Sequence, residues 1–248
     1  MPLPAHRYKV IFFDLGNTLL YQSRPWDETL PSATRAMMDV LRRHGLQLDE
    51  ERFCKQFEDR LSSYYQERET EFIEYTTAYL LSQQLQEFGV AEVSEETIRE
   101  ALAALYQVSQ AHWIPEEDAV PTLQALRERG LRLGVISNAS DADDVEALID
   151  KARIRPYFEH IFISAVVGRR KPHPHIFEVA LQAFGVRPEE AAMVGDTLGA
   201  DILGANNLGI TSIWITRRAD TPDNRDHLDT IQPDYTIRTL AELPGLLA

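Results

Sequence analysis

Three polar clusters lie where apolar runs of the sequence stop. Asp14 follows Val10-Ile11-Phe12-Phe13, Ser137-Asn138 follow the run from Leu131 to Ile136, and Asp196 follows Ala191 to Gly195. Lys171 comes a short loop after a further run, Ile161-Phe162-Ile163. Brought together, these positions supply a carboxylate, a hydroxyl, an ammonium and a second carboxylate. Two neighbouring carboxylates repel, and a divalent cation between them relieves the repulsion. Oxygen ligands with room for water suit Mg²⁺. Such a site can hold one small anion, because a cation and local dipoles focus on it. The chain as a whole cannot attract anions by bulk charge: 25 basic residues stand against 39 acidic ones, a net charge of −14. That balance argues against a nucleic-acid partner.

The elements that must position these groups can be read from the same runs. Each is short and predominantly apolar, the pattern of a strand buried on both faces of a parallel sheet. A fifth run covers Ile210 to Ile215. Helical patterns lie between them, at Val120 to Arg129, Val145 to Ala152, Pro174 to Phe184 and Ala200 to Leu208. Gly130, Gly185 and Gly209 stand just past helix ends, where a left-handed residue is expected. Strand and helix in alternation predict an α/β fold, a Rossmann-like parallel sheet flanked by helices. Ligands of such sheets bind outside the carboxyl ends of the strands, which is where the polar clusters fall. Tyr235-Thr236-Ile237 reads as a short edge strand and Leu240 to Leu247 as a closing helix.

From Tyr21 to Trp113 the alternation breaks, and no strand pattern occurs. Helical patterns run from Pro31 to His44, from Asp49 onward through Phe53, Phe57, Leu61 and Tyr64, from Phe72 to Phe88, and from a cap at Ser94. This stretch is far too long for a loop. Residues 21–114 are therefore expected to form an inserted α-helical subdomain, with 1–20 and 115–248 forming the α/β core. Cys54, the single cysteine, lies in an amphipathic helix, so no intrachain disulfide forms and a reducing, cytoplasmic compartment is expected. The N-terminal apolar run is too short for a signal peptide, and no stretch approaches the roughly 20 apolar residues of a spanning helix. No membrane partner is expected, and the chain is read as a monomer or homodimer.

Taken in order, the clusters resemble the four motifs of the haloacid dehalogenase superfamily, over about Tyr8 to Ile215. The family's first motif is Asp-x-Asp-x-Thr; here it is Asp14-Leu15-Gly16-Asn17-Thr18. The second, a Ser or Thr after a core strand, is Ser137; the third is Lys171-Pro172; the fourth is Gly195-Asp196 with the later Asp201. The helical insert matches the cap that these enzymes carry after the first strand. The resemblance implies a Mg²⁺-dependent phosphatase for a small phosphorylated metabolite, working through an aspartyl-phosphate at Asp14. It implies a metal site made of the Asp14 carboxylate, the Gly16 carbonyl and Asp196. Lys171 and the metal would neutralise the phosphoryl oxygens, and Ser137 Oγ with the N–H groups of Leu15 and Asn138 would donate to them. Thr18 would stiffen the first loop, and Asp201 would sit behind the site or orient Lys171.

Gly16 departs from that pattern. In the family the second aspartate binds metal through its carbonyl, protonates the leaving group and later activates water. Glycine keeps the carbonyl and loses the acid. General acid–base help is worth ~10²–10⁴ in rate, so poor alkoxide leaving groups are expected to suffer most. Rival readings remain within the same superfamily. Phosphonate-cleaving relatives carry a small residue at this position and use a cap lysine as a Schiff base, and Lys55 is the only lysine in the insert. Dehalogenating relatives carry a Tyr there and need no metal. A different class, a non-catalytic metal- and phosphate-binding partner protein, is also compatible with Gly16. His173 and His175 flank Pro174 and read as a helix start rather than a metal pair. Tyr64, Tyr65, Tyr75 and Tyr79 read as packing within the insert, with one or two of them able to face a substrate.

Overall fold

The computed structural model describes residues 8–247. In chain order the elements are β1 (Val10–Phe13), β2 (Leu20–Gln22), α1 (Trp26–Arg43), α2 (Glu50–Glu71), α3 (Thr77–Glu87), α4 (Glu95–Gln110), β3 (Trp113–Pro115), α5 (Ala119–Glu128), β4 (Arg132–Ser137) and α6 (Ala142–Lys151). There follow β5 (His160–Ile163), α7 (Ser164–Val167), α8 (Pro174–Phe184), β6 (Ala191–Gly195), α9 (Leu203–Leu208), β7 (Thr211–Ile215), α10 (Pro222–Arg225), β8 (Tyr235–Ile237) and α11 (Leu243–Leu246). The chain divides into two compact units. One holds Met1–Tyr21, Ile114–Asn138 and Ile149–Ala248; the other holds Gln22–Trp113 and Ala139–Leu148.

The first unit is built on a six-stranded sheet in the order β5-β4-β1-β6-β7-β8. Its neighbouring strands all run parallel. Every residue of β1 is buried, as the unbroken apolar run predicts for a central strand covered on both faces. On one face Val10, Phe12, Ile136 and Met193 pack with Ile176, Phe177, Ala180 and Phe184 of α8. Gly134 makes room for this: a Cβ there would stand 3.0 Å from the Phe184 ring and 3.1 Å from Phe12. Register then does the chemical work. Phe13 is the Cα partner of Val135 on one side and of Val194 on the other. Asp14, one residue on, therefore emerges between the ends of β4 and β6, which carry Ser137 and Asp196.

The second unit is helical, and its core gathers Met37, Met38 and Leu41 of α1, Phe53 and Phe57 of α2, Leu81 of α3 and Leu105 of α4. Asp49, Thr76 and Ser94 cap α2, α3 and α4 by accepting from Arg52, Tyr79 and Thr97 N–H. α1 begins at Trp26, ahead of the Pro31 that the sequence pattern suggests, with Asp27 and Glu28 favourably placed in its first turn. The start of α6 also belongs here, although residues 115–248 read as one core in the sequence. Two bonds show why: Thr77 N–H donates to the Ser140 carbonyl (2.9 Å), and Gln110 Nε2 donates to Asp144 Oδ1 (2.8 Å). β2 and β3 leave no strand pattern in the sequence, because three residues each are too few to show a period. No helix among the described residues is long and apolar enough to cross a membrane.

Burial pushes the Asp144 carboxyl up to about 7. An acid that holds its proton more tightly when folded destabilises the fold as pH rises from the unfolded value towards the folded one. A shift of this size corresponds to about 4 kcal/mol; partial exposure cuts that to about 1–2 kcal/mol. Asp144→Asn keeps the acceptor for Gln110 and removes the charge. Urea unfolding should find it about 1–2 kcal/mol more stable than wild type at pH 8 and no more stable at pH 4. An equal gain at both pH values would assign the effect to something other than the charge.

Candidate active site

The carboxyl ends of β1, β4 and β6 bring Asp14, Ser137 and Asp196 to one edge of the sheet. Lys171 enters from the loop before α8 and is fully buried. Its ammonium has three protons and three acceptors: Asp14 Oδ1 at 2.6 Å, Asp201 Oδ1 at 2.7 Å and the Ile136 carbonyl at 2.6 Å. The Lys171 backbone is held as firmly. Asn138 Nδ2 donates to its carbonyl (2.9 Å), and its N–H donates to Asn138 Oδ1 (2.8 Å). The asparagine that follows Ser137 thus locks the third motif onto the second, a role its side chain's position in the sequence does not reveal.

Asp201 stands on a turn of π-helix, Leu198–Ile202, ahead of α9. Its second oxygen accepts from Thr197 N–H at 3.0 Å, so both oxygens are engaged. Its carboxyl lies across the end of β6, so close that a Cβ on Gly195 would fall 2.2 Å from it. Only glycine allows this approach. One oxygen each of Asp14, Asp196 and Asp201 lie within 4.8 Å of one another, the only such acidic or histidine cluster among the described residues. Three carboxylates therefore crowd beside one ammonium, which bonds only two of them. Burial, partly offset by Lys171 and reinforced by Asp201, lifts Asp14 to about 6. Burial and repulsion from Asp14 and Asp201 push Asp196 well up. Lys171 is raised despite its burial, because Asp14 and Asp201 hold its proton. The excess of buried carboxylate over cation and the all-oxygen donor set fit a hard divalent cation.

The first loop is held by its backbone. Leu19 and Leu20 N–H both donate to the Leu15 carbonyl (2.9 and 3.0 Å), Gly16 bridges to Leu20, and Asn17 adopts φ 55°. Thr18 does not stiffen it through a side-chain bond: its hydroxyl is buried and has no hydrogen-bond partner among the described residues. A buried orphan hydroxyl costs about 1–3 kcal/mol. Thr18→Val, which keeps the shape, should raise the free energy of unfolding by about 1 kcal/mol. A loss of stability in denaturant titration would reveal a bonded hydroxyl instead.

Other sequence candidates lie elsewhere. Lys55 is exposed and ion-paired with Asp59 at 3.2 Å, without the apolar enclosure that a Schiff-base amine needs. His173 Nδ1 accepts from His175 N–H and caps α8, as a helix start would. Tyr64 is buried, whereas Tyr75 and Tyr79 are half-exposed and stacked on each other at 5.3 Å. With Arg60 and Arg68 these three tyrosines line a cavity of about 990 Å³ within the helical unit.

A family model described as haloacid dehalogenase-like hydrolase matches residues 8–209. The chain belongs to this family. It is 32% identical over 237 residues to a glyceraldehyde 3-phosphate phosphatase of Methanopyrus kandleri, covering 95% of each chain. It is 31% identical over 241 residues to one of Pyrococcus furiosus, covering 97% of this chain and 92% of that one. The crystal structure of a HAD phosphatase from Thermococcus onnurineus superposes with a TM-score of 0.61 at 27% identity, covering 97% of this chain and 98% of that one. The protein is thus a haloacid dehalogenase-like hydrolase, and the two archaeal relatives named here are phosphatases.

Proposed function

We propose that the protein is a Mg²⁺-dependent phosphatase of a small phosphorylated metabolite, acting through an aspartyl-phosphate at Asp14. The observation that carries this reading is the buried cluster at the sheet edge, in which Lys171 holds Asp14 and Asp201 while Asp196 lies within 4.8 Å. The relatives named for phosphatase activity on glyceraldehyde 3-phosphate support a small anionic substrate.

Lys171 holds Asp14 Oδ1 and so leaves the other carboxylate oxygen to attack phosphorus in line. Each of its protons is already taken, so Lys171 reaches a phosphoryl oxygen directly only by exchanging an acceptor. The Asp14 bond is the one that changes as the carboxylate becomes an acyl phosphate. Ser137 Oγ and the N–H groups of Leu15 and Asn138 donate to the phosphoryl oxygens. Asp14, the Gly16 carbonyl and Asp196 would hold Mg²⁺, which supplies charge neutralisation on the transferring group. Asp201 orients Lys171. The inserted helices, residues 21–114, act as the cap that selects substrate and limits water.

The test is hydrolysis of an aryl phosphate, an acyl phosphate and an alkyl phosphate, each with Mg²⁺ and with chelator. Turnover should require the metal and favour the better leaving groups. Acid quench during turnover should trap phosphate on Asp14, visible by mass spectrometry and missing in Asp14→Asn. No turnover on any of the three while Mg²⁺ still binds would leave the non-catalytic metal- and phosphate-binding reading in its place.

A further inference from the structure

Asp196 must present its carboxylate to the cluster, yet little holds that side chain directly: Thr197 Oγ1 approaches Oδ1 at only 3.4 Å. Its backbone is held instead. The Asp196 carbonyl accepts two hydrogen bonds, from Trp214 Nε1 of β7 and from Asn224 Nδ2, both at 2.8 Å. Asn224 lies on the short helix α10 and is almost completely buried. Its amide is saturated. Nδ2 also donates to the Ala219 carbonyl (2.9 Å), and Oδ1 accepts from Leu198 N–H (2.7 Å).

One buried side chain therefore grips the chain on both sides of Thr197, at the carbonyl of 196 and the N–H of 198. Thr197 N–H is itself bound by Asp201. Leu198 begins the π-helical turn that carries Asp201. The rotation of the 196–197 peptide, and with it the direction in which Asp196 leaves the backbone, is fixed by Asn224 with Trp214 as second donor. A buried amide whose donors and acceptor are all spent on three backbone groups of two loops is costly to misplace.

We propose that Asn224 is a positioning residue for the metal site, setting the Asp196 carboxylate where it can share a cation with Asp14. The inference rests on the reading of Asp196 as a metal ligand. Partners that orient a ligand typically change metal affinity 10–100-fold when removed. The sequence gives no hint of this role, since Asn224 lies in a polar loop beyond the last motif.

The experiment is calorimetric titration of Mg²⁺ into wild type, Asn224→Ala and Trp214→Phe, with urea unfolding of each. Asn224→Ala should raise the Mg²⁺ Kd about tenfold or more. Its turnover should recover substantially at saturating Mg²⁺, so the defect lies in the metal dependence rather than in kcat. Trp214→Phe removes only one donor and keeps the ring body. It should raise Kd about threefold and decides the matter if Asn224→Ala does not fold. Lower stability with an unchanged Kd in both variants would reduce Asn224 to a structural role and overturn the proposal. If wild type itself binds no Mg²⁺, the reading of the metal site falls, and this inference falls with it.

Discussion

Gly16→Asp should raise kcat/KM for alkyl phosphates by about 10²-fold or more while changing kcat/KM for aryl phosphates little. The expected difference follows from leaving-group chemistry. An alkoxide needs a proton as the P–O bond breaks; a phenolate or an acyl carboxylate does not. The substituted carboxyl would stand two residues past the nucleophile. The backbone accepts it, because Gly16 is not among the glycines with left-handed φ. It is also half-buried, so the position is open to water. The ratio of alkyl to aryl kcat/KM, measured in both proteins at saturating Mg²⁺, is the readout. A ratio that does not move would mean that another group already supplies the proton in wild type, and the proposed preference for good leaving groups would be lost.

The same reasoning explains which parts of the molecule could be read from sequence. The strands were legible because burial on both faces leaves an unbroken apolar run, and Asp14, Ser137 and Asp196 were legible because each interrupts such a run. Family resemblance then placed Lys171, which alone in a basic run, Arg169-Arg170-Lys171, looks like solvated surface. What stayed hidden depends on contacts between distant segments. Asn138 and Asn224 work through side-chain bonds to backbone groups about 30 residues away in the chain, and such pairings leave no period or spacing. The assignment of Ala139–Leu148 to the helical unit has the same origin, since Ser140 and Asp144 bond to Thr77 and Gln110 rather than to the sheet. In sequence Asp201 reads either as sitting behind the site or as orienting Lys171; its bond to Lys171 is the contact that the second reading needs.

Lys171→Met should cost about 3–5 kcal/mol of stability in the absence of metal and lower kcat/KM by about 10²–10³ with Mg²⁺ present. Methionine fills much of the lysine stem's volume, so the loss reports the charge rather than a cavity. Removing the ammonium strands Asp14 and Asp201, together with the Ile136 carbonyl, in a buried site that already holds Asp196. The pH dependence has a definite sign. Asp14 and Asp196 are raised by burial even with Lys171 in place, and losing the cation raises them further. The variant therefore takes up protons on folding that the unfolded chain, with carboxyls near 4, does not. Its deficit should be largest at pH 8 and shrink towards pH 5 as Asp14 and Asp196 become neutral. Mg²⁺ should narrow the gap at pH 8, because a dication can replace part of the missing charge. Chemical unfolding at both pH values, with Mg²⁺ and with chelator, gives four numbers to set against this order. A deficit independent of pH and metal would show that the carboxylates do not share one buried charge cluster, and the proposed chemistry at Asp14 would lose its electrostatic basis.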